Sequence, residues 1–487
     1  MRRLCLFLIG FLSLAISVSC ADNYSREDFP PGFVFGAATS AYQVEGAANL
    51  DGRSPSIWDN FTHEGNMHGD TGDVSVDEYH KYKEDVQLMA ETGLDAYRFS
   101  ISGPVNPKGL QYYNNLINEL VSHGIQPHVT LYHYDHPQAL EDEYGGWVDR
   151  KMVRDFTAYA DVCFREFGDR VSHWSTINEP NIFAFGGYDL GMVPPKRCSP
   201  PFGFNCTKGN SSYEPYLAAH HMLLAHGSTA RLYRTKYQNK QRGYIGISLY
   251  GFWFAPATNS TEDIAAVERA KEFFLGWFAK PIVFGDYPGI MKKVVGSRLP
   301  AFTSDESELV KGSIDFLGLI QYTVFYGKDN STGPEPKYRD YFIDTGYQIT
   351  PWAMQGLLEY FKLGYGNPPI FIHENGQVTP RNSCLEDKTR VKYLEAYIGA
   401  VLDAIRNGSN MKGYFVWSFL DVFELLDGYA SSYGLYYVDL NDPELKRQRK
   451  LSATWYSEFL KGNLANLDGI LELEINISGH TRGVAFS

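Results

Sequence analysis

Cysteine and positive charge are both scarce in this chain. Of 487 residues only 6 are cysteine, and 44 Lys and Arg face 57 Asp and Glu, a formal net charge of −13. Without a basic face, the simplest nucleic-acid and anionic-membrane readings fall away. Long apolar runs are also rare: one stands at the start, from Leu4 to Val18, and no later segment is long and apolar enough to span a bilayer. There is no GxSxG elbow and no convincing glycine-rich nucleotide loop. The pair His133 and His136 lacks a third ligand at sensible spacing, so neither a metal nor a cofactor is expected. Disorder over the whole chain is excluded by 44% hydrophobic and 21% charged residues. The aromatic share of 15%, led by 34 Tyr and 31 Phe, fits a large core or a sugar-binding cleft equally.

The apolar start reads as an address. Arg2 and Arg3 precede it, and small residues follow near Ser19, Cys20 and Ala21, the pattern of a secretory signal peptide over 1–21. An uncleaved anchor would want about 20 apolar residues. The remaining cysteines suit that compartment. Cys198 and Cys206 flank a Pro/Gly-rich loop and are expected to form a disulfide, whereas Cys163, on an apolar helical pattern, is expected as a buried thiol. Acceptor sequons stand at Asn23, Asn60, Asn205, Asn210, Asn259, Asn330, Asn407 and Asn476, and such abundance suits a secreted glycoprotein. The end Val-Ala-Phe-Ser carries no Lys-Asp-Glu-Leu-type retention tag, which leaves the extracellular space or a vacuole. Oligomeric state is not readable here.

Short β-rich apolar segments alternate with longer helical ones. Strands are expected at Phe33–Gly36, Ala96–Ile101, Gln126–Tyr132, Val171–Ile177, Gly243–Ser248, Phe316–Tyr322, Ile370–His373 and Gly413–Phe419. Helical periodicity runs over Glu78–Thr92, Leu110–His123, Arg150–Phe167, Glu214–Tyr237, Glu262–Phe278, Pro351–Leu363 and Lys388–Arg406. Eight repeats without a low-complexity linker predict one α/β domain, a (β/α)8 TIM barrel over 22–461, ahead of an open doubly wound sheet. The segment 462–487 lacks periodicity and reads as a C-terminal tail. In such a barrel, polar residues at the C-terminal strand ends face the chemistry. That filter selects Gln43, Arg98, His133, Asn178, Glu179, Tyr322, Glu374, Trp417 and Glu424. Glu179 and Glu374 end different strands and can face each other across the mouth. Two facing carboxyl groups, one protonated and one ionised, are what glycosidic cleavage requires.

The segments Thr-Ile-Asn-Glu-Pro at 176–180 and Ile-His-Glu-Asn-Gly at 372–376 resemble the paired signatures of family 1 glycoside hydrolases. So do the runs 35–46 and 131–140 and the stretch from Trp417 to Asp439. The likeness covers about residues 28–461 and is greatest to plant β-glucosidases. It implies a retaining mechanism with Glu179 as acid/base and Glu374 as nucleophile, and Arg98 and Tyr322 holding Glu374 ionised. It also places Gln43, His133, Asn178 and Glu424 on the sugar hydroxyls of a small-molecule β-glucoside, with Trp417 under the ring. Glutamate at 179 argues against the myrosinase branch.

The chain departs from the family at several points. Tyr433 stands where the family often has Phe, Leu425 where it has Trp, Tyr134 where it has Trp, and Ile320 where it has Asn. After Ser102 the chain passes straight to Gly103, roughly ten residues short in a loop that helps form the rim. Hydrolysis of β-D-glucosides with small, often aromatic, aglycones is the expected activity. Transglucosylation from an acyl-glucose would use the same residues, and a non-catalytic sugar-binding protein is the third reading.

Overall fold

A computed structural model describes residues 24–463, apart from 104, 201–202, 205 and 328–349. The leader 1–21, the sequons at Asn23, Asn205, Asn330 and Asn476, and the tail beyond 463 lie outside the described residues. Eight parallel strands close into a barrel: β1 Val34–Ala38, β2 Ala96–Ser100, β3 Gln126–Thr130, β4 His173–Asn178, β5 Tyr244–Tyr250, β6 Phe316–Ile320, β7 Ile370–Asn375 and β8 Met411–Trp417. Each strand pairs with its sequence neighbours, and β1 closes the ring on β8 with Val34 opposite Gly413 and Ala38 opposite Trp417. The expected barrel is therefore the observed one, and the open sheet is not.

Helices fill the connections, among them Glu78–Thr92 and Lys388–Arg406 with the bounds that periodicity predicts. The helix expected from Leu110 begins earlier, at Pro107. Asn106 accepts a hydrogen bond from the Gly109 N–H, and Pro107 occupies the first helical position. Both are ordinary start signals, and they let the helix follow β2 after a very short loop.

Alternation along the strands sorts side chains into two cores. On β2, Tyr97 and Phe99 pack outward with the helices, while Ala96, Arg98 and Ser100 face inward. The interior cluster joins Ala38 and Ala96 to Phe316, Phe371, Phe415 and Trp417. Glycine makes room for those rings: a Cβ on Gly36 would lie 2.6 Å from the Phe415 ring, and one on Gly246 2.6 Å from that of Phe316. His128 and His173 stack at 4.1 Å in the same interior. Burial lowers both, His173 to about 4, so they are neutral filler.

Cys198 and Cys206 are bridged, Cys163 is buried and Cys384 exposed. Among the described residues no helix is long and apolar enough to cross a membrane. Under the short loop after β2, the Tyr113 hydroxyl accepts from the Ser102 N–H at 2.9 Å and donates to Glu45 at 2.7 Å. Asp135 lies in the same place, and its Oδ1 accepts from the His133 N–H at 3.2 Å. Burial pushes Glu45 and Asp135 each up to about 7, against the weaker pull of Arg53, which is itself engaged by Asp59.

A carboxyl raised by folding favours the native state most at low pH, and that preference is lost as pH climbs from about 4 to about 7. Asp135→Asn keeps the acceptor and removes the titration. Relative to wild type it gains stability with rising pH over that window, up to about 4 kcal/mol at pH 7. Denaturant unfolding at a series of pH values checks this; a difference that does not change with pH contradicts it.

Candidate active site

The inward parity of β2 puts the Arg98 guanidinium at the top of the barrel interior, only 1% exposed. Nη1 donates to Glu374 Oε1 at 2.6 Å and Nη2 to Asn178 Oδ1 at 2.6 Å. The second oxygen of Glu374 accepts from the Tyr322 hydroxyl at 2.8 Å. Glu374 lies inside β7 rather than beyond its end, opposite Ile320 on β6. Burial raises this carboxyl, but the charge of Arg98 and the hydrogen bonds from Arg98, Tyr322 and Asn178 all pull it back.

Glu179 is built differently. It follows the last residue of β4 with φ 41°, in the left-handed region, and Pro180 opens the short helix Pro180–Phe185 behind it. Its N–H donates to the Ser248 carbonyl at 2.8 Å, which fixes the turn on β5. Among the described residues no cation pairs with its carboxyl, which accepts from the Tyr134 hydroxyl at Oε2. Burial first, and then the charge of Glu374, raise it well above the ordinary carboxylate range; Tyr134 and Arg98 oppose them. The two carboxyl groups therefore feel each other across the mouth, and Glu179 is raised the more strongly of the two.

The remaining predicted residues gather around this pair. Asn178 turns its amide nitrogen to His133 Nε2 at 3.2 Å, and the His133 ring lies near-parallel to Trp417 at 6.0 Å. His133 Nδ1 and Glu424 Oε1 are buried without a hydrogen-bond partner among the described residues. Burial, followed by the charge of Asp421, raises Glu424 well above its usual range. The Tyr433 ring meets Tyr322 edge-on at 5.8 Å, and Leu425 is half-buried against the apolar core. Gln43 is turned to the protein at both ends of its amide: Oε1 accepts from Ser40 at 2.7 Å and Nε2 donates to the Phe423 carbonyl at 2.7 Å. It ties the β1 loop to the β8 loop beside Glu424. His136 meets the Tyr132 hydroxyl at 2.9 Å, and no described group of three or more His, Cys, Asp or Glu is placed to hold a metal. Sequence reasoning noted Tyr134 only as a departure and missed its contact with Glu179; a phenol beside a motif histidine was the available signal.

A carboxyl that keeps its proton and a carboxyl saturated by donors, held at one barrel mouth, are the apparatus of glycosidic cleavage, and the class of protein is a glycosidase. The family described as Glycosyl hydrolase family 1 matches residues 25–464, and the chain belongs to it. It is 57% identical to Beta-glucosidase 11 of Arabidopsis thaliana, over 94% of this chain and 97% of that protein. It is also 57% identical to the cyanidin 3-O-glucoside 7-O-glucosyltransferase (acyl-glucose) of Delphinium grandiflorum, over 90% and 91% respectively. The crystal structure of a rice β-glucosidase, Os3BGlu6, superposes with a TM-score of 0.85 at 45% identity, covering 89% of this chain and 99% of that one.

If Arg98 is what makes a buried charge at Glu374 tolerable, Arg98→Met costs about 3–5 kcal/mol of stability at neutral pH. Tyr322→Phe, which removes one donor to a charged group, costs about 1.5–3 kcal/mol. Denaturant unfolding of the two variants tests the ranking, and an Arg98→Met protein as stable as Tyr322→Phe refutes it.

Proposed function

We propose that this chain hydrolyses β-D-glucosides of small, often aromatic, aglycones by double displacement, with Glu374 as nucleophile and Glu179 as acid/base. β-Glucosidase activity and retention follow from the family and from plant β-glucosidases at 54–57% identity. The residue roles rest on one observation: Glu374 has a guanidinium and a phenol on its two oxygens, whereas Glu179 has one phenol and no cation.

In the first step Glu374 attacks the anomeric carbon, the bond to the aglycone oxygen breaks, and the proton of Glu179 passes to that oxygen. Esterification then removes the charge of Glu374. That charge is the second largest influence keeping Glu179 protonated, so its loss turns Glu179 into a base just when a water must be deprotonated. Water adds to the anomeric carbon, and Glu374 leaves as a carboxylate. A Glu-to-Gln mutant of the rice relative is known as a covalent complex with glucose from GA4GE, which supports a glycosyl-enzyme of this kind. His133, Asn178, Glu424 and Trp417 are read as the sugar-facing group; the unpartnered His133 Nδ1 and Glu424 Oε1 supply a buried polar pair for hydroxyls. Gln43 acts in this reading through Glu424's loop. The leader and the Cys198–Cys206 bridge support passage through the secretory pathway. Interception of the glycosyl-enzyme by an acceptor alcohol, the chemistry named for the Delphinium relative, would draw on the same two residues.

With an aryl β-glucoside of poor leaving ability, Glu179→Ala lowers kcat/KM by about 10²–10⁴-fold; with 2,4-dinitrophenyl β-glucoside, whose aglycone departs unprotonated, azide raises kcat by attacking the glycosyl-enzyme as a nucleophile that needs no base. A 2-fluoro glucoside labels the peptide holding Glu374, read by mass spectrometry. Wild-type-like turnover in Glu179→Ala, or label on another residue, overturns the assignment.

A further inference from the structure

Tyr134 is the residue of the mouth that the family pattern does not account for. Its hydroxyl reaches Glu179 twice, donating to Oε2 and lying 3.4 Å from the backbone carbonyl of the same residue. The ring is buried and stacks on Phe183 at 5.0 Å and 10°. Phe183 belongs to the short helix that Glu179 precedes, so phenol and carboxyl are carried on one rigid piece. The backbone of Tyr134 is left-handed, φ 66°, an uncommon state for a bulky side chain. Asp135 holds that turn by accepting the His133 N–H. Burial and the nearby charges of Glu179 and Glu374 keep the phenol protonated, so it is a donor in every state of the cycle.

We propose that Tyr134 is a positioning residue for proton transfer: by donating to Glu179 Oε2 it leaves the mobile proton on Oε1, and its hydrogen bond strengthens as Glu179 becomes a carboxylate. This rests on Glu179 being the acid/base. In the first step the proton leaves Oε1 for the aglycone oxygen, the anomeric bond breaks and Tyr134 retains its own proton. A neutral acceptor becomes a charged one, and hydrogen bonds to charged groups are about twice as strong. In the second step a water proton returns to Oε1 and the bond weakens. The hydroxyl therefore favours departure of the aglycone and opposes release of glucose.

Tyr134→Phe keeps the stacked ring and removes only the donor. The experiment measures kcat/KM against pH for β-glucosides of graded leaving ability, normalised to active enzyme by titration with a 2-fluoro glucoside so that folding losses drop out. Expected is a fall of about tenfold for poor leaving groups, little change for 2,4-dinitrophenyl β-glucoside, and a basic limb moved upward by about half a pH unit or more. An unmoved or lowered basic limb, or an equal loss across leaving groups, overturns the proposal. Glu179→Ala in the same series separates the two ideas. If it shows no dependence on leaving group, the acid/base reading itself has failed; if it shows steep dependence while Tyr134→Phe does not, only the role of Tyr134 is lost.

Discussion

A guanidinium almost without solvent sits at the top of the barrel interior, and its surroundings make sense only as an answer to that charge. Arg98 is flanked by aromatic rings and neutral histidines that cannot balance it. Glu374 and the carbonyl of Asn178 can, at 2.6 Å each. Removing Glu374 leaves an uncompensated charge, and removing Asn178 an unmet donor, in a medium that solvates both poorly. The same constraint puts a fixed cation and a fixed phenol on the two oxygens of Glu374, and both favour its ionised form against the burial that raises it. It also orients Asn178, whose carbonyl is taken by Arg98 and whose amide is thereby turned toward His133.

The second carboxyl gains its character from what Arg98 does not do. Glu179 lies one residue beyond Asn178, yet the left-handed turn and the helix starting at Pro180 carry its side chain away from the guanidinium to a phenol. Burial without a cation raises it, and the ionised Glu374 raises it further. Two chemically identical groups at one mouth are thus raised unequally, and the difference is set by backbone geometry more than by residue type. Part of the rise at Glu179 comes from Glu374's own charge, so the two groups do not titrate independently.

Much of this was legible before any coordinates. Eight strand-helix repeats give a closed barrel because each β-rich run is too short to be a helix and each helical run too long to be a hairpin. The C-terminal strand ends then pick out both carboxyl groups. Errors fell at ends: β7 extends through Asn375, which places Glu374 within the sheet, and Asn106 with Pro107 starts a helix that apolar periodicity alone puts at Leu110. The cysteine bridge was readable because its partners are close in sequence. What spacing could not give is which groups meet across loops. Gln43, expected on the sugar hydroxyls, also links Ser40 to the Phe423 carbonyl; Tyr134, a departure from the family pattern, meets Glu179 from 45 residues away. Both contacts depend on how neighbouring rim loops settle on each other, and no local periodicity encodes that.

The loop after β8 shows how such settling is enforced. It carries Glu424, Leu425 and Tyr433 beyond Trp417, the last residue of β8, and it is clamped from behind by Lys450, whose ammonium donates to Asp421 at 2.8 Å, Ser432 at 2.9 Å and the Gly434 carbonyl at 3.0 Å. Burial lowers this lysine to about 8, with Asp421 as the main opposing influence. A buried ammonium is tolerable only while all its donors are matched, so the clamp favours one arrangement of the loop rather than a range of them. Gln43 adds a tie on the opposite side through Phe423. Glu424 is thereby fixed between two anchored segments with one oxygen unpartnered, and the cost of that unmet acceptor is borne by contacts that never touch a sugar. Polar residues at the rim are held in place, in this fold, by charges and amides that read in sequence as ordinary core.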